Sequence, residues 1–245
     1  MSIADKILRA KEDYDRVFEA GKKSEYDAFW DIFQSNGQLT SYTYAFAYGK
    51  FNDETFRPKY DIRPTNAERM FAYNNNVGVG TNASYCITDL STCLSKAGVV
   101  LDTSKCENMN NVFYMGKGFT ILPEISFESC TKLDATFYGC TELRTIEKMI
   151  LREDGTNTFT NETWNLPFGQ CVNLENITIE GVIGDSISFW QSPLSKASVE
   201  NIFSVLSANA SGKKLTLSSG SKGEFTADEW NALVATRTNW TISIV

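Results

Sequence analysis

Two stretches of the chain, CENMNNVFYM from Cys106 and CTKLDATFYG from Cys130, align without a gap. Cys106 falls on Cys130, Met109 on Leu133, Phe113 on Phe137 and Tyr114 on Tyr138, and upstream Leu101 falls on Ile125 at the same spacing of 24 residues. The Cys-x-x-Leu element recurs as CTEL from Cys140 and CVNL from Cys171. A unit this short cannot bury its own apolar side, so neighbouring units must stack and share one core. Cysteine suits a position where the chain bends inward, because its thiol is small and apolar. The pattern predicts that Cys106, Cys130, Cys140 and Cys171 point into that core from equivalent positions.

The text on either side of the repeat differs in kind. Residues 2–34 read as a helix with Ser2 as N-cap and Gly37 beyond its end, a rod of about 50 Å. Ile3, Ile7, Ala10, Tyr14, Val17 and Gly21 follow alternating spacings of four and three, the seam of a coiled coil. The seam has two readings, attachment to another chain through Ile3, Ile7, Tyr14 and Val17, or packing of an amphipathic helix on its own chain. SYTYAFAYGKF then places Tyr42, Tyr44, Phe46 and Tyr48 on one face of a strand, either a packed face or an aromatic row able to stack on sugars. An irregular linker with Pro58 and Pro64 follows. The domains expected are residues 1–36, attachment or oligomerisation; 37–85, aromatic strand and linker; and 86–245, the repeat region, with a C-terminal cap from about 191.

Ile87, Leu90, Leu94 and Ala97 have helical spacing before Gly98. The repeat is interrupted by LREDGTNTFTNETWNLPFG, where Asp154-Gly155 carries turn chemistry. Residues of an insertion are released from core duty, so Phe159 and Trp164 are the candidate ligand-binding residues, the alternative being that they anchor the loop. Two helix–strand units close the chain. The first has Val199, Ile202, Phe203 and Leu206 on one face behind Ser198, then the strand KLTLS; the second opens on the capping box Thr226-x-x-Glu229 and leads to WTISIV.

These residues resemble BspA-like leucine-rich-repeat proteins, in which Cys-x-x-Leu elements and aromatic positions recur, and the period lies within the roughly 20 to 29 residues of leucine-rich repeats. The opening ADKILRAKEDYDRVFEAGKKSEYDAFWDIFQ and the ending PLSKASVENIFSVLSANASGKKLTLSSG are similar to a version found in phages and prophages of gut Firmicutes. The resemblance implies an α+β chain: a long N-terminal α-helix, then an irregular leucine-rich-repeat solenoid with a helix–strand C-terminal cap. It implies a tail-associated or other virion protein, made in the bacterial cytoplasm and exposed on the particle, that recognises a host cell-surface protein or glycan. Its expected partners are other virion proteins through the N-terminal helix, with a homotrimer as the first expectation. A purely architectural or decoration protein and a carboxylate-dependent glycan hydrolase are the alternatives.

Composition narrows the partners further. The formal net charge of −7, with no run of Lys or Arg, argues against nucleic acid and anionic membrane. No apolar run approaches the roughly 20 residues of a membrane span, and MSIADKILRAKEDYD lacks the apolar stretch of a secretory signal, so a reducing compartment is expected. The six cysteines then read as free thiols, and the Asn-x-Ser/Thr triplets at Asn82, Asn161, Asn176, Asn209 and Asn239 as chance matches. There is no histidine and no Cys-x-x-Cys, which removes His-based triads and Cys–His pairs and leaves a zinc site only as a set of four scattered thiols. Ser211-x-x-Lys214 reads as a polar turn entering a strand. Gly78, Gly80 and Ala83 fit a dinucleotide fingerprint with Asp102 downstream, but three asparagines precede Gly78 where an apolar strand is needed. No catalytic residue, cofactor or metal is expected, and Glu12, Asp13 and Asp15 read as a solvated helix face.

Overall fold

The computed structural model describes residues 39–47, 51–74, 86–159 and 166–245. In chain order they form α1 (Leu90–Ala97), β1 (Ile121–Ser126), β2 (Lys132–Leu133), β3 (Thr145–Ile150), β4 (Thr158–Phe159), β5 (Asn176–Glu180), β6 (Ile187–Phe189), α2 (Lys196–Val205), β7 (Lys213–Leu217), α3 (Ser219–Gly223), α4 (Ala227–Ala235) and β8 (Trp240–Ile244). The strands pair in parallel as β1-β3-β5, β2-β4 and β6-β7-β8. Isolated parallel bridges, among them Ser41 with Asn66, Ile62 with Leu101 and Asn66 with Asn108, carry the same stacking toward residue 41.

The coils are held together chiefly by their own backbones. Tyr42, Tyr44 and Phe46 donate to the carbonyls of Asn66, Glu68 and Met70; Arg69 and Phe71 donate to Asn110 and Val112; Asn111 and Phe113 donate to Asp134 and Thr136. Alternate N–H groups thus bridge to the next coil while those between them close turns, as Ala45 does on Tyr42. Such alternation requires a repeated twist of the chain. It comes from left-handed residues two before the central Phe, at Tyr44, Arg69, Asn111 and Ala135 (φ 56, 52, 56 and 48°), and two after it, at Tyr73, Met115, Gly139 and Gln170. Each such non-glycine residue costs about 1–2 kcal/mol, which the coil-to-coil bonds offset.

The side chains inside these turns form one column. Phe46, Phe71, Phe113, Phe137, Phe168 and Phe189 succeed one another at centroid separations of 5.1, 5.5, 5.6, 5.3 and 4.4 Å, with the ring planes of Phe71, Phe113 and Phe137 nearly parallel. All six are buried. Leu122, Ile125, Ile146, Met149, Ile177 and Ile179 fill the core from the β1-β3-β5 sheet; buried and exposed residues alternate along β5 as the strand period demands, whereas the buried pairs of β1 and β3 stand three residues apart, with a register shift between Ile146 and Met149.

Each edge of that sheet is covered. At one side Thr120 and Ile121 donate to the Thr88 carbonyl, just before α1. At the other, α2 replaces the next strand: Ile177 N–H donates to Ser198 Oγ at 2.9 Å, Ile179 N–H to Asn201 Oδ1 at 2.7 Å, and Asn201 Nδ2 donates back to the Ile179 carbonyl at 3.1 Å. Side chains of a helix here satisfy the open backbone of an edge strand. Ser195, not Ser198, is the N-cap of α2. The capping box of Thr226 and Glu229 is present at α4.

The expected α+β class, a long N-terminal α-helix followed by an irregular leucine-rich-repeat solenoid with a helix–strand cap, is corrected on these observations. The helix expected over residues 2–34 lies outside the described residues. What is described is mostly small strands of two to six residues in parallel sheets, with four helices, the longest of ten residues. The physical reason is that bonding runs between coils rather than within helices. The reading of residues 41–47 is corrected too: SYTYAFA is mostly a turn, not a strand, with Tyr42 and Phe46 buried and Tyr44 exposed at a left-handed φ, and it stacks as a coil in its own right, while Tyr48 lies outside the described residues.

Candidate functional site

The outer face of the β6-β7-β8 sheet is where these coils hold polar and aromatic side chains in register without using them for the core. Strand alternation sends Ile187, Phe189, Leu215 and Leu217 inward. The opposite face then carries a hydroxyl row, because Ser188 is registered on Thr216 and Thr216 on Ser243. One pair further back, Lys214 is registered on Thr241, and the Lys214 N–H donates to Ser186 Oγ at 3.0 Å. Neighbouring strands lie about 4.8 Å apart, so the row is a fixed ladder of donors and acceptors.

Trp190 closes one end. Phe189 is pinned in the core by its stack on Phe168, and the next residue, Trp190, is 41% exposed. Val245, 57% exposed, lies on the same face beyond β8. Trp190, Val245, Leu166 and Ile187 supply the apolar lining of a groove of about 480 Å³ whose polar lining is Ser186, Ser188, Lys214 and Thr216. Leu166 belongs to the insertion between the repeat units. A large rigid aromatic beside a few ordered hydroxyls and one cation is the makeup of a ligand groove.

The adjacent lysines differ in their electrostatics. Lys213 Nζ meets Asp185 at 2.8 Å. Burial pushes the Asp185 carboxyl up, but the hydrogen bonds from Lys213 and from the Ser186 N–H outweigh it and hold the group below its ordinary range. Lys214, by contrast, has no ion pair among the described residues.

Of the residues nominated from sequence, Phe159 is 3% exposed, paired through β4 with Leu133, so it anchors the insertion rather than facing solvent. Trp164, Ile3, Ile7, Tyr14 and Val17 lie outside the described residues, as do Gly78, Gly80 and Ala83. Asp102, the acidic partner in the dinucleotide pattern, bonds Ser104 and is paired with Arg63 at 2.5 Å. Trp190 went unnoticed in the sequence, although Ser186-x-Ser188-x-Trp190 alternates with Ile187 and Phe189 in a way that exposes it.

The four repeat cysteines are buried, but in two columns rather than one. Cys130 donates to the Cys106 carbonyl at 2.8 Å, whereas Cys140 and Cys171 each follow a column phenylalanine by three residues and donate at 3.1 Å to the carbonyls of Phe113 and Phe137. Burial pushes the Cys106 thiol up to about 11 and those of Cys130 and Cys140 up to about 12, and it raises Cys171 as well. Thiols so placed are packing groups, not nucleophiles. Among the described residues no cluster of Cys, Asp and Glu is arranged to hold a metal ion, and no helix is long and apolar enough to cross a membrane. No family model matches the chain, and no curated protein or solved structure does either.

Proposed function

We propose that this protein is a non-enzymatic component of a phage particle, resembling the BspA-like proteins of phages and prophages, that presents a recognition surface to its bacterial host. The observation that carries the reading is the outer face of β6-β7-β8, where Trp190 stands exposed beside ordered hydroxyls on a rigid stack. Rigidity matters because a surface ordered before binding loses little entropy on contact. Residues 1–36, with the seam Ile3, Ile7, Tyr14 and Val17, are the proposed attachment to other particle proteins or to two further copies of the chain. The molecule is exposed on the particle in this reading, and a host cell-surface protein or glycan is its partner.

The test is incubation of purified full-length protein with intact Gram-positive gut bacteria, following both sedimentation with the cells and sugar released to the medium. Binding without release is the expected result. Release of reducing sugar would overturn the non-enzymatic reading, and absence of binding would overturn recognition in favour of a purely architectural part of the particle.

A further inference from the structure

Within the reading of this face as a recognition surface, charge and shape together narrow the ligand. The chain carries a net charge of −7, yet among the described residues no carboxylate side chain lines the groove beside Trp190. The nearest in sequence, Asp185, is committed to Lys213. Val245 also lines the groove, and one of its main-chain oxygens accepts from the Ser219 N–H at 2.7 Å. Among the described residues Lys214 is therefore the one charged side chain in the groove lining, on a protein that is otherwise acidic.

The second constraint is the indole. A flat aromatic at the end of a hydroxyl ladder suits a ring with one apolar face and a polar rim, which describes a pyranose and not a flexible phosphate-linked polyol. We infer that the groove formed by Trp190, Ser188, Thr216 and Lys214 binds an acidic polysaccharide whose sugar rings carry carboxylates, a uronic acid chain. One ring stacks on Trp190, the hydroxyls of Ser188 and Thr216 exchange hydrogen bonds with the rim, and Lys214 meets a carboxylate. An ammonium on a flexible stem is a point charge without fixed geometry, so Lys214 selects for charge while Trp190 selects for the ring.

The test is calorimetric titration of the full chain with a galacturonic acid hexamer, with its methyl ester, which keeps every ring but loses the charge, and with a glycerol phosphate oligomer. The acid is expected to bind about tenfold more tightly than the ester at low salt, the gap shrinking as salt screens the charge. Trp190→Ala should abolish binding of both sugars. Lys214→Met should erase the preference for the acid and Lys214→Arg should keep it, with all three variants melting like the wild type. Equal affinity for acid and ester, preference for the glycerol phosphate oligomer, or unchanged binding by Trp190→Ala would each overturn the inference. The same preparations are applied to whole bacteria: cells bound while both sugars are refused would defeat the ligand assignment and leave recognition standing, whereas refusal of cells and sugars would defeat both.

Discussion

Phe113, Phe137 and Phe168 each sit between two rings of their own kind, whereas Trp190, one residue past the end of that column, has no ring partner among the described residues. Both places are aromatic and both depend on the same stacked backbone. Their difference lies in which side of the coil the residue occupies. In the column, each ring is fixed by the coil before it and the coil after it, so a change is felt in three layers. On the outer face a side chain leans only on its own strand and its registered neighbours, and it is free to vary with the ligand. Stability and recognition are thus separated by alternation along single strands, Phe189 serving one and Trp190 the other.

The largest effect expected from this contrast is on the column. Phe137→Ala removes a fully buried ring stacked at 5.6 and 5.3 Å on Phe113 and Phe168. Its loss should cost about 3–5 kcal/mol, a large share of the 5–15 kcal/mol typical of a folded domain, and should lower the midpoint of urea denaturation accordingly. A loss under about 0.5 kcal/mol, within the ordinary scatter of surface changes, would show that the column is not what binds the coils together.

A smaller effect belongs to the C-terminal helix–strand units. The Glu229 carboxylate is held down to about 2 from an ordinary 4.5, first by Lys196 and then by the Thr226 N–H and hydroxyl of the capping box. A carboxyl whose folded-state pKa is depressed stabilises the fold fully above its ordinary value and loses that contribution as pH falls through the folded value. The difference in melting temperature between wild type and Glu229→Gln should therefore be greatest above pH 4.5 and close as pH approaches 2. Because the group is fully exposed, salt should shrink the difference as well. A gap that widened on acidification would contradict the assignment.

What the sequence made legible was the part of the stack with an unbroken spacing. Phe113 and Phe137 share flanking Cys, Tyr and apolar residues at an offset of 24, and both the alignment and the burial of Cys106 and Cys130 follow from it. The remaining column members stayed hidden because the lengths between them vary: Phe71 precedes Phe113 by a segment containing α1, and Phe168 stands near the end of the insertion that follows Phe137. Phe46 was concealed differently. Tyr42, Tyr44 and Phe46 alternate as strand residues do, and nothing in residue type announces that Tyr44 takes a left-handed φ of 56°, since glycine usually marks such a position. The equivalence assumed for all four repeat cysteines failed because a Cys-x-x-Leu element occurs at two different corners of the coil. Gly181 was silent for the opposite reason. It is required at φ 85°, where an added Cβ would lie 2.2 Å from the Leu151 carbonyl oxygen, but only the neighbouring coil reveals it.

The candidate site was legible only in its setting. The insertion was singled out for its aromatics, and the structure turns Phe159 inward while Leu166 of the same segment reaches the groove. Exposure of an aromatic is decided by the phase of a strand, and that phase is set by the neighbours it pairs with. Once Phe189 is placed in the column, Trp190 has to face out.

The most direct measurement of the account is therefore the pair Phe159→Ala and Trp190→Ala, each assayed for melting temperature and for attachment to host cells. Phe159→Ala should cost about 3–5 kcal/mol, with attachment declining only as far as the protein unfolds. Trp190→Ala should leave the melting temperature within a few degrees, since an exposed side chain contributes little, and should abolish attachment. The reverse pattern, with Trp190→Ala attaching normally and folded Phe159→Ala failing to attach, would contradict the assignment of recognition to the outer face of β6-β7-β8.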